Sequence, residues 1–212
     1  MKKVTIKMMM AGAFLLGMTQ IANAQTKKTN FLSGDANFNS TKVDGSDAKD
    51  NSFGVGVQYG HFIKDNLALG LELGYAGGTV TESIGGVAGE TKTSLFRVAP
   101  FARIEKQLWQ TKFSVYSDLG IAASFGSDKF EAAAGGAEAE TKVMGLGAFY
   151  RPGILFHLKD NIALLANFGE LVSYQYTQEK VEGIDDKTST QAFGINANKI
   201  LDQFRFGIQL KF

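Results

Sequence analysis

The sequence holds 212 residues, with 22 Lys+Arg against 21 Asp+Glu, 25 Gly, 17 Phe, 2 Pro and no Cys. The lack of cysteine excludes a disulfide scaffold, a Cys-ligated zinc site, a thiol nucleophile and a lipid-anchored cysteine. Glycine at about 12%, against a usual ~7%, together with so few prolines argues against a disordered, linker-rich chain.

The N-terminus reads as a cleaved export signal over residues 1–24. Lys2, Lys3 and Lys7 make it basic, 8–18 is an apolar run, and Ala22-Asn23-Ala24 supplies the small residues a signal peptidase reads. That run falls well short of the roughly 20 residues of a membrane-spanning helix. Setting Lys2, Lys3 and Lys7 aside leaves 19 basic and 21 acidic residues in a domain at 25–212, a net charge of −2. An exported chain of that charge gives nucleic acid no electrostatic footing.

From residue 30 onward the pattern has period two. A first, faint segment at 30–40 sets Leu32, Ala36 and Phe38 against Ser33, Asp35 and Asn37. At 52–63, Phe53, Val55, Val57 and Tyr59 alternate with Gly54, Gly56, Gln58 and Gly60, and at 67–77 a leucine row ending in Tyr75 alternates with Ala68, Gly70, Glu72 and Gly74. Segments at 91–104, 112–126, 141–158 and 162–176 continue the pattern. The last, 190–212, ends with Phe204, Phe206, Ile208, Leu210 and Phe212 against Arg205, Gly207, Gln209 and Lys211. It is too long for one strand, so a bulge or break is expected within 196–203. Such alternation gives strands with one apolar face and one polar or small face.

The connections alternate in length. Short turns fall at Lys64-Asp65-Asn66, 105–111 and Lys159-Asp160-Asn161; long polar stretches fall at 41–51, 77–90, 127–140 and 177–189. The expected fold is therefore all-β: an eight-stranded antiparallel up-and-down transmembrane β-barrel, with short turns and both termini in the periplasm and four long, acidic loops outside. The Leu, Val and Phe rows are too bulky for so narrow an interior and are expected to face lipid. An aromatic girdle is expected from Tyr75, Phe125, Tyr174 and Tyr176 near the long loops, and from Phe113 and Phe212 near the short turns.

The opposite parity points Asp35, Glu72, Arg97, Arg103, Asp118, Arg151 and Arg205 into the lumen. Unpaired charges there would be costly, so an ion-pair network is expected. Counting up from the turns suggests an Arg97–Asp118–Arg151 bridge across three strands, and an Asp35–Arg205 pair where the first and last strands meet. Phe101 and Phe149 share this parity. An eight-stranded interior is just wide enough for side chains, so a plug is expected ahead of a selectivity filter. Glu170 falls on the outward parity, and a bulge at Gly169 is expected to re-aim it.

Phe62-Ile63-Lys64-Asp65-Asn66-Leu67-Ala68-Leu69-Gly70, Arg151-Pro152-Gly153 and the terminal Phe206-Gly207-Ile208-Gln209-Leu210-Lys211-Phe212 together resemble the outer-membrane β-barrel domain family of OmpA-, OmpX- and OmpW-type small barrels. The resemblance implies a Gram-negative outer-membrane location, with outer-membrane lipids as partners. It also implies a C-terminal strand (Phe204, Phe206, Ile208, Leu210, Phe212) similar to the signal read by the barrel-assembly machinery. No cofactor is expected and a monomer is, and with the chain ending at residue 212 the peptidoglycan-binding domain that OmpA-type proteins append is not expected. The expected role is non-enzymatic: structural, or surface interaction with an extracellular ligand through the loops. A narrow porin-like channel for small ions or apolar solutes is the alternative. An outer-leaflet lipid-modifying enzyme is disfavoured, because His61 and His157 both precede Lys-Asp-Asn turns at the periplasmic end and no catalytic or metal-ligand cluster stands out. His61 is expected at the interface and His157 as a satisfied polar group of the lumen.

Overall fold

The computed structural model describes residues 29–42, 48–84, 87–132, 138–183, 185–195 and 204–212; the export signal expected at 1–24 and the bulge or break expected at 196–203 lie outside them. The described strands are β1 (Asn30–Lys42), β2 (Lys49–Lys64), β3 (Leu67–Ile84), β4 (Val87–Gln107), β5 (Phe113–Ala132), β6 (Glu138–Lys159), β7 (Ile162–Asn167), β8 (Val172–Val181), β9 (Lys187–Ile195) and β10 (Arg205–Lys211). β1 to β6 pair antiparallel in chain order. β7 pairs the lower part of β6, and β10 joins β7 to β1, closing a ring of eight strands. The fold is an antiparallel up-and-down β-barrel.

The seventh expected segment is interrupted. β7 stops at Asn167, and the β8–β9 hairpin takes over the upper part of β6, from Tyr150↔Val172 to Thr141↔Val181. The expected bulge at Gly169 is a full interruption of the ladder. Gly169 has φ 72°, and its N–H donates to Asn167 Oδ1 at 3.3 Å. Glycine takes that left-handed backbone without a Cβ penalty.

Two other expectations need correction. Most of the stretches read as long loops are strand: β3 and β4 pair without interruption up to Ile84↔Val87, and β5 with β6 up to Glu131↔Glu138. Above the apolar band both faces of the sheet meet water, so Thr79, Thr81, Thr91 and Thr93 continue the ladder with no apolar face to announce it. Secondly, β4 continues three residues past its expected end at 104, with Gln107 opposite Ser114. Glu105, read as turn, is a buried residue of the strand.

The faces are inverted relative to a soluble barrel. Leu69, Leu71, Leu73, Phe96, Leu119, Ile121 and Leu146 are exposed on the outside, whereas Glu72, Arg103, Asp118 and Gln209 are buried inside. An apolar outer surface of this extent calls for lipid rather than water. On β5 the outward row from Phe113 to Phe125 spans roughly 40 Å along the strand, or roughly 30 Å along the barrel axis at a tilt of about 40°. That matches the thickness a membrane barrel must cover.

Candidate functional site

The lumen centres on Arg103. Register places Asp118 of β5 directly opposite it, and Arg151 of β6 directly opposite Asp118, so three neighbouring strands present cation, anion and cation side by side. Arg103 Nε and Nη2 donate to the two Asp118 carboxylate oxygens at 2.7 and 2.8 Å, a bidentate pair. Its Nη1 donates to Gln209 Oε1 at 2.7 Å and its Nη2 also reaches Gln58 Oε1 at 2.8 Å. The guanidinium lies 4.1 Å from the Tyr116 ring centre and 4.6 Å from that of Phe31. Arg103 therefore has acceptors in its plane and aromatic rings beside it, which suits a planar delocalised cation.

Arg151 donates to Asp118 Oδ2 at 3.3 Å and to Glu72, which also accepts from Gln58 Nε2 at 2.7 Å; the buried Nε of Arg151 has no acceptor among the described residues. Arg103, Asp118, Glu72, Arg151, Gln58 and Gln209 are each at most 3% exposed. The expected Arg97–Asp118–Arg151 bridge is corrected: Arg103, not Arg97, faces Asp118. The cause is the longer β4, which moves the β4–β5 register and leaves Arg97 opposite Ser124, higher in the barrel.

Arg97 pairs instead with Glu170 and with Glu72 Oε1 at 3.5 Å, and its guanidinium lies 4.8 Å from the Phe149 ring centre. The interrupted ladder thus turns Glu170 inward. Arg205 donates to Asp35 at 3.2 Å between the first strand and the last. At the lower end Lys211 donates to Glu105 at 2.5 Å. These lumen pairs engage five carboxylates (Asp35, Glu72, Glu105, Asp118, Glu170) and five cations (Arg97, Arg103, Arg151, Arg205, Lys211). Arg97 and Arg205 keep about a quarter of their side-chain surface exposed, unlike the group around Arg103.

Aromatic rings fill the remaining space. Phe31, Phe62, Phe101 and Phe149 form one buried cluster with Ala68 and Ala99, and Tyr116 packs with Leu155, Ala163 and Leu165 in a second. Each of four inward rings lies over the glycine opposite it: Phe31 over Gly60, Phe101 over Gly70, Phe149 over Gly120 and Tyr116 over Gly153. A Cβ at Gly120 would stand 2.6 Å from the Pro100 carbonyl oxygen and 2.7 Å from the Phe149 ring. Below this cluster of charges and rings lies a cavity of about 300 Å³ lined by Phe62, Glu105, Ser114, His157, Asp160 and Lys211. Above it, Arg97, Phe149, Glu170 and Gln175 line a space of only about 40 Å³.

His157 hydrogen-bonds Ser114 Oγ at 2.7 Å, and His61 Nδ1 hydrogen-bonds Asn30 Oδ1 at 2.8 Å. Among the described residues no carboxylate bonds the second nitrogen of His157, and Ser114 is 1% exposed. Tyr75, Phe125, Tyr174 and Tyr176 lie on the outward rows toward the extended hairpins, and Phe113 and Phe212 on the outward rows at the turn end. Tyr75 packs against Phe53 and Phe96, and Phe113 against Phe156. In the C-terminal strand, Phe204 and Phe206 pack edge to face, and Ile208, Leu210 and Phe212 continue their row. Sequence reasoning missed Phe31, Gln58, Gln209 and Lys211 as members of the lumen network, although all four share the parity of the charges it singled out.

Residues 10–199 match the family model described as outer membrane protein beta-barrel domain. No curated protein matches the chain. Among solved structures, the chain is similar to the Neisserial surface protein A (NspA), with 16% identity over 87% of this chain and 96% of that one and a TM-score of 0.44. It is similar to a major outer membrane protein from Thermus thermophilus, with 12% identity over 88% and 100% and a TM-score of 0.46. It is also similar to Ail, the attachment invasion locus protein of Yersinia pestis, in complex with the heparin analogue sucrose octasulfate, with 15% identity over 87% and 96% and a TM-score of 0.39.

Proposed function

The chain belongs to the outer membrane protein β-barrel domain family, and from that premise we propose that this outer-membrane protein is a non-enzymatic barrel with a charge-plugged lumen. Its work is then structural, or is surface interaction through the hairpins that rise above the membrane. The observation that carries this reading is the closed section around Arg103, where cations, carboxylates, glutamines and rings occupy the width of the barrel. A lumen just wide enough for side chains leaves no water path through such a section.

The rest of the reading follows the same logic. Residues 1–24 direct export, and the strand ending at Phe212 is what the assembly machinery reads. The Ser114–His157 pair holds the lower wall together, with the serine buried and the histidine half-buried beside the lower cavity; among the described residues no carboxylate bonds the second His157 nitrogen to orient it as a base. Conductance of the refolded barrel in a planar bilayer tests the plug. The expected record is silent at physiological salt. Stable open-channel steps that vanish or change selectivity when Arg103 or Asp118 is replaced would instead establish the narrow-pore alternative.

A further inference from the structure

Two cross-strand rows on the outer wall, one directly above the other, differ sharply in chemistry. The lower row is apolar over three strands: Phe96 of β4 faces Phe125 of β5, which faces Met144 of β6. The row above it runs Ser94, Ser127, Lys142, Lys180 and Lys187 across β4, β5, β6, β8 and β9, each directly opposite the next. Together these residues line a concavity of about 500 Å³ on the outside of the barrel. It lies where the outward rows change from apolar to polar, at the extracellular edge of the lipid-facing band.

Three lysines directly opposite one another across two strand pairs repel, since like charges so placed destabilise a sheet. The surrounding carboxylates relieve little of this. Lys180 lies 3.7 Å from the exposed Asp185, and Glu140 on the rim is engaged by Lys129 at 3.3 Å. Among the described residues neither Lys142 nor Lys187 has a carboxylate partner. Higher up, by contrast, Lys92 is paired with Glu131 at 2.7 Å and with Glu90 at 3.7 Å. The lysine row is thus left cationic beside two serine hydroxyls, above an apolar floor, at the height of lipid headgroups.

We propose that this concavity binds a phosphate-bearing, acylated lipid of the outer leaflet. Lys142, Lys180 and Lys187 take the phosphate, Ser94 and Ser127 donate to it, and Phe96, Phe125 and Met144 receive the acyl chains. An anion seated between the lysines converts their mutual repulsion into attraction, and the barrel acquires a fixed lipid on one side of its wall.

Native mass spectrometry of the refolded barrel in detergent micelles, titrated with bisphosphorylated lipid A, tests this. The Lys142→Gln, Lys180→Gln, Lys187→Gln triple variant is expected to bind at least about tenfold more weakly. A control triple at the periplasmic end, Lys106→Gln, Lys112→Gln, Lys159→Gln, is expected to bind as the native chain does. Heat-modifiable gel migration establishes that each variant is folded. Should the triple fail to fold, Lys187→Gln alone, on an exposed strand, is expected to weaken binding by about threefold. Equal binding by native and lysine variants, or equal binding of lipid A and its dephosphorylated form, would overturn the proposal. Binding of inorganic phosphate as tightly as the lipid would overturn the lipid assignment.

Discussion

The lumen contains two ion-pair regions of the same chemistry in different surroundings. Around Arg103, the charges are buried between the Phe31 and Phe149 rings and the strands beside them hold one register, the β4–β5 ladder skipping only Ala99 and Pro100. Around Arg97 and Glu170, the wall is interrupted between β7 and β8, the pair is partly exposed, and β1 beyond Ala36 has no second neighbour among the described residues. Coulombic attraction alone would make the two regions equal. The difference is expected to show when one partner is lost: the upper charges keep exposed surface that water can solvate, whereas the lower ones keep almost none.

The largest effect is therefore expected at Asp118. Asp118→Ala strands Arg103 and removes one acceptor of Arg151, at a cost of about 3–5 kcal/mol. Urea unfolding of the barrel in lipid vesicles measures this; a loss below about 1 kcal/mol would mean that water enters the section. Gly120→Ala comes next. Its methyl group would press on the Pro100 carbonyl and the Phe149 ring, at an expected cost of about 1–3 kcal/mol by the same measurement. The smallest effect is expected for Glu170→Ala, about 1 kcal/mol or less, because Arg97 keeps Glu72 and solvent.

How legible this was in the sequence depends on which physical force wrote each element. Lipid and lumen impose opposite demands on alternate residues, so Leu69, Leu71 and Leu73 against Gly70, Glu72 and Gly74 revealed both the strands and their faces. Glu170 on an outward row, beside Gly169, announced the place where the wall changes course. The polar hairpins carried no such mark, because a ladder with water on both sides needs no alternation. Register was equally hidden: Glu105 looks like turn chemistry until Lys211, 106 residues away, is brought beside it. That single reading of β4 moved the partner of Asp118 from Arg97 to Arg103. Gln58 and Gln209 carried the inward parity, but only closure of the ring placed them around one guanidinium.

A pair of double-mutant cycles, Arg103/Asp118 and Arg97/Glu170, measured in the same vesicles by urea unfolding, tests the sealed plug most directly. The account predicts a coupling of about 2 kcal/mol or more for the first pair and less than about 1 kcal/mol for the second. Equal couplings, or a weaker one at Arg103, would contradict it, because the lower section would then be as accessible to water as the upper.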